Sequence, residues 1–337
     1  MHILYDPSPR TTGEIFSKKH RDQLFAEHTV VEIDPAKRDS EYARLLPQCD
    51  VLISQQPMDG DRLAAAPNLR AIFNVETNFL PNIDYDICFQ RGIHVLTPAS
   101  VFAVPVAEMG LGMALSLARN IHGGCADFIA GQEKYGLDGN SQAELLSHSH
   151  IGFVGFGDLG RALNKLLLPF SAKIRVYDPW LPDDYLSRQG VSPAPLAEVL
   201  TESRVVFVVA SVTTENTHLF NRQTLATMQD GAMLILLSRA ALADFDALAE
   251  EAARGRLRVA TDVFPQEPPT LDDPIRRVPG MLFSAHRAGA LSDTLEQIGA
   301  LVLEDLSLIA RGLPPVSCRR AERETVGVLR SKPIENS

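Results

Sequence analysis

Three glycines, Gly155, Gly157 and Gly160, sit where the apolar run Ile151-Gly152-Phe153-Val154 gives way to a helix-compatible stretch from Asp158 to Leu163. Strand, glycine turn and helix in that order leave few folds open. Gly155 permits the tight turn, Gly157 lets the backbone approach a pyrophosphate, and Gly160 lets the helix pack closely on the strand. The helix start, with Phe156, Asp158 and Leu159 around it, offers free N–H groups and partial positive charge to phosphates. A second strand, Ile174-Arg175-Val176-Tyr177, ends at Asp178, eighteen residues beyond Gly160. A carboxylate there takes both ribose hydroxyls and repels a 2′-phosphate, so the pattern points to NAD rather than NADP. A lone glycine pattern would be weak; this ordered set implies dinucleotide binding.

The rest of the chain repeats the alternation. Short apolar runs precede the motif at Ile3-Leu4-Tyr5, Val30 to Ile33, Val51-Leu52-Ile53, Ala71-Ile72-Phe73 and His94-Val95-Leu96. Helix-compatible stretches such as Lys18 to Glu27 and Asp39 to Leu46 lie between them. A second series follows at Val205 to Val208, Met233 to Leu236, Arg258-Val259-Ala260 and Met281-Leu282-Phe283. Strands alternating with helices imply parallel strands joined by crossovers, hence an α/β fold of two open doubly wound sheets. An apolar helix around Val104 to Leu117 links them, with Pro105 tolerated in its first turn. A long amphipathic stretch from Leu291 to Ala310 stops at Gly312 and Pro314-Pro315. The expected division is a nucleotide-binding domain over 101–290 and a discontinuous substrate domain from 1–100 plus 291–337.

Composition narrows the partners. The 337 residues are 45% apolar and 22% charged, as in a soluble globular protein, and the net charge of −10 argues against a nucleic-acid surface. Cys49, Cys88, Cys125 and Cys318 are far apart, which suggests a reducing, cytoplasmic setting with neither a disulfide frame nor a metal site. Residues 1–7 carry no basic leader or long apolar core, so no signal peptide is expected. Val101 to Ala118 is long enough to test as a membrane span, but Glu108 would cost roughly 2.5–3.5 kcal/mol near the bilayer centre. A helix buried in the protein explains the run without that cost, so no membrane partner is expected. The tail beyond Pro315, with Arg319, Arg320, Arg323, Arg330 and Lys332, reads as solvated or subunit-contacting rather than an anion site.

A nicotinamide enzyme also needs a proton donor and a grip on its substrate. Arg239, Glu267 and His286 each follow a strand on its C-terminal side, where ligands of open α/β sheets bind. Taken singly, Arg239 reads as a surface arginine capping the next helix, His286 as a loop histidine and Glu267 as part of a plain turn. Their ordered contexts differ: Leu237-Ser238-Arg239 before Asp244 and Leu248, Asp262-Val263-Phe264 through Glu267-Pro268, and His286 with Gly289. With Asn82-Ile83-Asp84, Arg91-Gly92-Ile93 and Val106-Ala107-Glu108, they make the chain resemble the D-isomer-specific 2-hydroxy-acid dehydrogenases over roughly residues 50 to 315.

That resemblance implies a Rossmann NAD-binding domain inserted in a flavodoxin-like substrate domain, closing about hinges near residues 100 and 290. It implies NAD(H)-dependent interconversion of a small 2-keto acid and its D-2-hydroxy acid. His286 would move the proton, Glu267 would orient it and favour its protonated form, and Arg239 would grip the carboxylate through two parallel N–H bonds. Asp262 would orient the nicotinamide carboxamide. Ser211, Thr213 and Ser238, with Arg239 and His286, would line the coenzyme; a homodimer through the Val104–Leu117 region is implied as well.

Three departures from the family pattern stand out. Ala240 replaces a frequent glycine after the arginine, and Val209-Ala210-Ser211 replaces a histidine-leucine-proline run before Thr213. The substrate loop, Asn74-Val75-Glu76-Thr77-Asn78-Phe79, lacks its usual glycine and places Glu76 where a substrate carboxylate is expected. Val75, Glu76 and Thr77 are nonetheless the expected substrate contacts; Glu76 either turns its charge away or reads a substrate hydroxyl, and the former is favoured. Glu267 argues against formate dehydrogenase, which has glutamine there. The absence of Lys or Arg in 74–84 argues against phosphite dehydrogenase. An alternative reading is an NAD-sensing interaction protein like the C-terminal-binding corepressors, which keep the same triad.

Overall fold

The computed structural model describes residues 1–75 and 78–330; among these, the eleven apolar runs and two further two-residue strands make thirteen strands in two sheets. The chain divides into two compact units. One comprises 1–102, 213–215 and 290–337; the other comprises 103–212 and 216–289.

In the first unit, β1 (His2–Asp6), β2 (Thr29–Glu32), β3 (Val51–Ser54), β4 (Ala71–Phe73) and β5 (His94–Thr97) pair in parallel in the order β5-β4-β3-β1-β2. This is the flavodoxin order, which changes direction between β1 and β3. The period of two along each strand divides the core. Leu4, Leu52, Ile72 and Val95 face Tyr42, Leu45 and Leu63 on one side. Ile3, Tyr5, Ile53, Phe73 and Leu96 face Leu24 and the helix Ser292–Ala310 on the other. That helix buries Ile298, Val302, Leu306 and Ile309, one stripe at helical spacing. Full burial of each such side chain contributes about 1.5–3 kcal/mol.

Beyond that helix the backbone is anchored, while the side chains of Arg319, Arg320, Arg323 and Arg330 are exposed. Val316, Ser317 and Cys318 donate backbone N–H groups to the fully buried carboxylate of Asp305 at 2.7–2.9 Å. Arg319–Arg320 then form β13, antiparallel to β5.

In the second unit, β6 (His150–Val154), β7 (Lys173–Tyr177), β8 (Ser192–Pro193), β9 (Val205–Val208), β10 (Met233–Leu236), β11 (Arg258–Thr261) and β12 (Met281–Phe283) form a wholly parallel sheet. Its order is β12-β11-β10-β9-β6-β7-β8. This is the Rossmann arrangement with one further strand, reversing direction between β6 and β9. The helix Ala103–Ala118 packs on the helix Asp158–Leu167 and on β10 and β11 through Val106, Gly110, Met113 and Leu117. Ala99–Ala118 is apolar and long enough to cross a membrane by length and composition, and half of it is buried within the protein. The following helix, Ile121–Ile129, buries none of its residues.

Candidate active site

The glycine turn is built as its sequence implies. Gly155 has φ +90°, and a Cβ there would lie 2.5 Å from Ala210 Cα, so only glycine fits. A Cβ on Gly160 would lie 3.0 Å from Gly155 O, whereas Gly157 has open space where its Cβ would be. The helix Asp158–Leu167 begins there, with first-turn N–H groups that its own backbone cannot pair. Asp178 follows β7 and is held from two sides: Phe156 N donates to Oδ2 at 2.8 Å and Trp180 N to Oδ1 at 3.0 Å. Arg161 braces the turn, donating to Phe156 O at 3.3 Å and Asp158 Oδ1 at 2.5 Å. An open cradle, a positive helix end and an oriented carboxylate fit the pyrophosphate and ribose of a dinucleotide.

The other candidates come from three adjacent parallel strands. Arg239 lies three residues beyond β10, Asp262 directly follows β11, and His286 lies three residues beyond β12. Parallel pairing therefore brings all three to one edge of the sheet. His286 Nδ1 and Glu267 Oε2 are 2.5 Å apart, and each side chain is 34% exposed. The other carboxylate oxygen of Glu267 accepts the Phe264 N–H at 2.8 Å, while Phe264 packs between Phe245 and Phe283. Burial raises the Glu267 carboxyl. Its hydrogen bonds from His286 and Phe264, with the charges of His286 and Arg239, outweigh this and hold it below the usual glutamate range. Burial lowers the Arg239 guanidinium, with Glu267 acting in the opposite sense. An arginine stays charged through such a shift, so the cluster can bind an anion beside a histidine oriented through Nδ1.

His286 has φ +47°, a region rarely adopted by residues other than glycine. Its N–H donates to Asp262 O at 2.7 Å, and the next two N–H groups, of Arg287 and Ala288, donate to the Asp262 carboxylate at 3.1 Å. Asp262, 1% exposed, thus holds the turn that carries the histidine. This grip links residues far apart in sequence, and no local signal revealed it.

The remaining candidates are divided between the two units. Ser238 is buried, its hydroxyl donating to Val208 O at 3.3 Å, and Ser211 is exposed, its carbonyl accepting from Asn216 Nδ2 at 2.8 Å. Thr213 is 6% exposed and falls with the first unit. Val75 is fully buried, so any ligand contact there comes from its backbone; Glu76 and Thr77 lie outside the described residues. Ala240 begins a short 3₁₀ turn without positive φ, so the missing glycine introduces no strain. Two residues gain interest from the structure: Arg161, and Trp180, which is 47% exposed beside Asp178. Trp180 is the chain's one tryptophan, and that was its only sequence signal.

A Rossmann sheet carrying this cluster at its strand ends defines a nicotinamide-dependent oxidoreductase. Residues 111–288 match the family model described as "D-isomer specific 2-hydroxyacid dehydrogenase, NAD binding domain". The chain is 30% identical over 309 residues to a hydroxypyruvate reductase of Thermotoga maritima, covering 89% of this chain and 95% of that one. It is 29% identical to a glyoxylate reductase of Korarchaeum cryptofilum, covering 79% and 82%. The crystal structure of a phosphoglycerate oxidoreductase from Rhizobium etli superposes with a TM-score of 0.87 at 47% identity, covering 96% and 99%. The chain belongs to the D-isomer-specific 2-hydroxyacid dehydrogenase family and is an NAD-dependent enzyme of that class.

Proposed function

We propose that the chain interconverts a small 2-keto acid and its D-2-hydroxy acid, with Arg239, Glu267 and His286 as the reacting cluster. The contact between His286 Nδ1 and Glu267 Oε2 carries this reading. With Nδ1 engaged by the carboxylate, Nε2 is the nitrogen left to exchange a proton with substrate. NAD supplies or accepts the hydride at the substrate's C2. In reduction, the proton on His286 Nε2 moves to the carbonyl oxygen as negative charge develops there; in oxidation the same nitrogen takes the hydroxyl proton. Arg239 pairs with the substrate carboxylate and polarises the carbonyl. Gly155, Gly157, Gly160 and the helix start receive the pyrophosphate, and Asp178 the ribose hydroxyls, which favours NAD over NADP. The 74–79 loop supplies further substrate contacts; the unit of 1–102, 213–215 and 290–337 corresponds broadly to the substrate domain, and that of 103–212 and 216–289 to the coenzyme domain.

The relatives named above act on 2-keto or 2-hydroxy acids of two to three carbons, one of them phosphorylated, and that supports a small substrate. A homodimer is part of the proposal. The expected contact runs through the Val104–Leu117 region, where Val104 is 57% exposed, and the helix that follows adds exposed apolar side chains at Ile121 (57%), Phe128 (65%) and Ile129 (81%). The test follows NADH consumption with glyoxylate, pyruvate, hydroxypyruvate and its 3-phosphate. Turnover of at least one is expected; tight NADH binding with no turnover of any 2-keto acid would overturn the reading.

A further inference from the structure

We infer that the C-terminal segment 316–330 is a positioning strap for the coenzyme loop 211–216, and that this contact sets part of the affinity for NADH. The inference rests on the proposed function and on the expectation, implied by the family resemblance, that Ser211 and Thr213 line the coenzyme.

The segment is anchored along its length within the first unit. Asp305 takes three of its N–H groups, β13 pairs with β5, and Ala321 N donates to Val95 O at 2.8 Å. Ala321 and Val326 are buried in the core layer that contains Leu52, Ile72 and Val95, and Leu329 packs against the same layer. The Arg323 guanidinium lies 5.3 Å from the centre of the Phe89 ring. A segment held at so many points is a rigid body by comparison with a loop.

Its far end reaches the loop. Thr213 and Leu329 form an antiparallel β-bridge, and Thr214 N donates to Val328 O at 3.0 Å. These contacts place 213–215 with the first unit although Val212 and Asn216, on either side, belong to the second. Within the loop, Asn216 Nδ2 donates to Ser211 O and Glu215 N to Thr213 Oγ1. These two bonds close the turn that carries the bridge. A loop ordered before the coenzyme arrives need not lose that freedom on binding, so pre-organisation appears as affinity. Val328 and Leu329 act through Thr213 and Thr214 and are positioning residues.

Two shortened chains test this against the full one. Ending the chain at Val326 removes the bridge and keeps β13 and the buried Ala321 and Val326. Ending it at Arg330 keeps the bridge. The chain ending at Val326 is expected to bind NADH about threefold to tenfold more weakly, the scale of one or two backbone hydrogen bonds, with kcat at saturating NADH within about a factor of two. The chain ending at Arg330 should match the full chain. Equal NADH affinity in all three, or an equal loss in both shortened forms, overturns the strap. Thr213→Ala serves as the separate check on the underlying reading: if it binds NADH unchanged, the loop does not contact coenzyme. Should the shorter chain not fold, amide hydrogen exchange of the full chain decides. NADH should slow exchange in 211–216 and 325–330 together; slowing of the first stretch alone overturns the inference.

Discussion

Asp262 and the His286 turn form one unit: the His286 N–H ends on the main-chain carbonyl of Asp262, and those of Arg287 and Ala288 on its carboxylate. The histidine's left-handed backbone, φ +47°, is therefore held from the end of a neighbouring strand rather than by its own sequence. In sequence Asp262 suggested a contact to the nicotinamide carboxamide. In the structure both its oxygens already orient the histidine turn, and each keeps further acceptor capacity.

Asp262→Ala should therefore damage stability and turnover together. Leaving the buried Ala288 N–H without an acceptor costs about 1–3 kcal/mol, and the part-buried Arg287 N–H adds less. Thermal unfolding of Asp262→Ala and Asp262→Asn, with kcat measured in parallel, checks this. An Asp262→Ala protein as stable and active as the parent would show that the turn holds itself.

Glu267 gives a pH-dependent signature. Its carboxyl sits below the usual glutamate value in the folded protein, so its contribution to stability is complete above the unfolded value. That contribution is lost as pH falls through the lower folded value. The melting-temperature gap between the parent and Glu267→Gln should thus be full above the unfolded glutamate value of about 4.3 and close only as pH falls through the lower folded value. A gap that persists in acid would mean the carboxylate is not the source. Being one-third exposed, the pair should produce a modest gap.

Asp178 should govern coenzyme choice. Exchange for serine removes the charge that repels a 2′-phosphate, so the ratio of kcat/KM for NADH over NADPH should fall. Trp180, two residues on, provides the readout: NADH should quench its fluorescence in the parent. An unchanged coenzyme ratio in Asp178→Ser would refute the ribose contact.

Much of this was legible because the signals are local. The run Ile151–Val154, the turn at Gly155 and the stripe Ile298–Val302–Leu306 are each read within a dozen residues, and their partners follow from period and burial. Arg239, Glu267 and His286 were found through ordered motifs, although nothing in the spacing shows that Glu267 meets Nδ1 at 2.5 Å. The anchoring of the C-terminal segment was not legible because its anchors are backbone groups. Asp305 carries no mark that distinguishes it from a surface carboxylate on an amphipathic helix, and β13 is two residues long. The strand β8, Ser192–Pro193, escaped for the same reason of length.

The exposed apolar surface of the Ile121–Ile129 helix should set the oligomeric state. Ile129→Asp together with Phe128→Asp should convert a dimer into a monomer in sedimentation experiments, since two charges would face a desolvated contact. A parent protein that sediments as a monomer would contradict the proposed pairing.

Replacement of His286 by alanine tests the reaction scheme most directly, with turnover of the best 2-keto acid and NADH affinity measured on the same preparation. Turnover should fall by about two to four orders of magnitude, the usual worth of a positioned general acid, while NADH binds as in the parent. Undiminished turnover would contradict the assignment of the proton to His286.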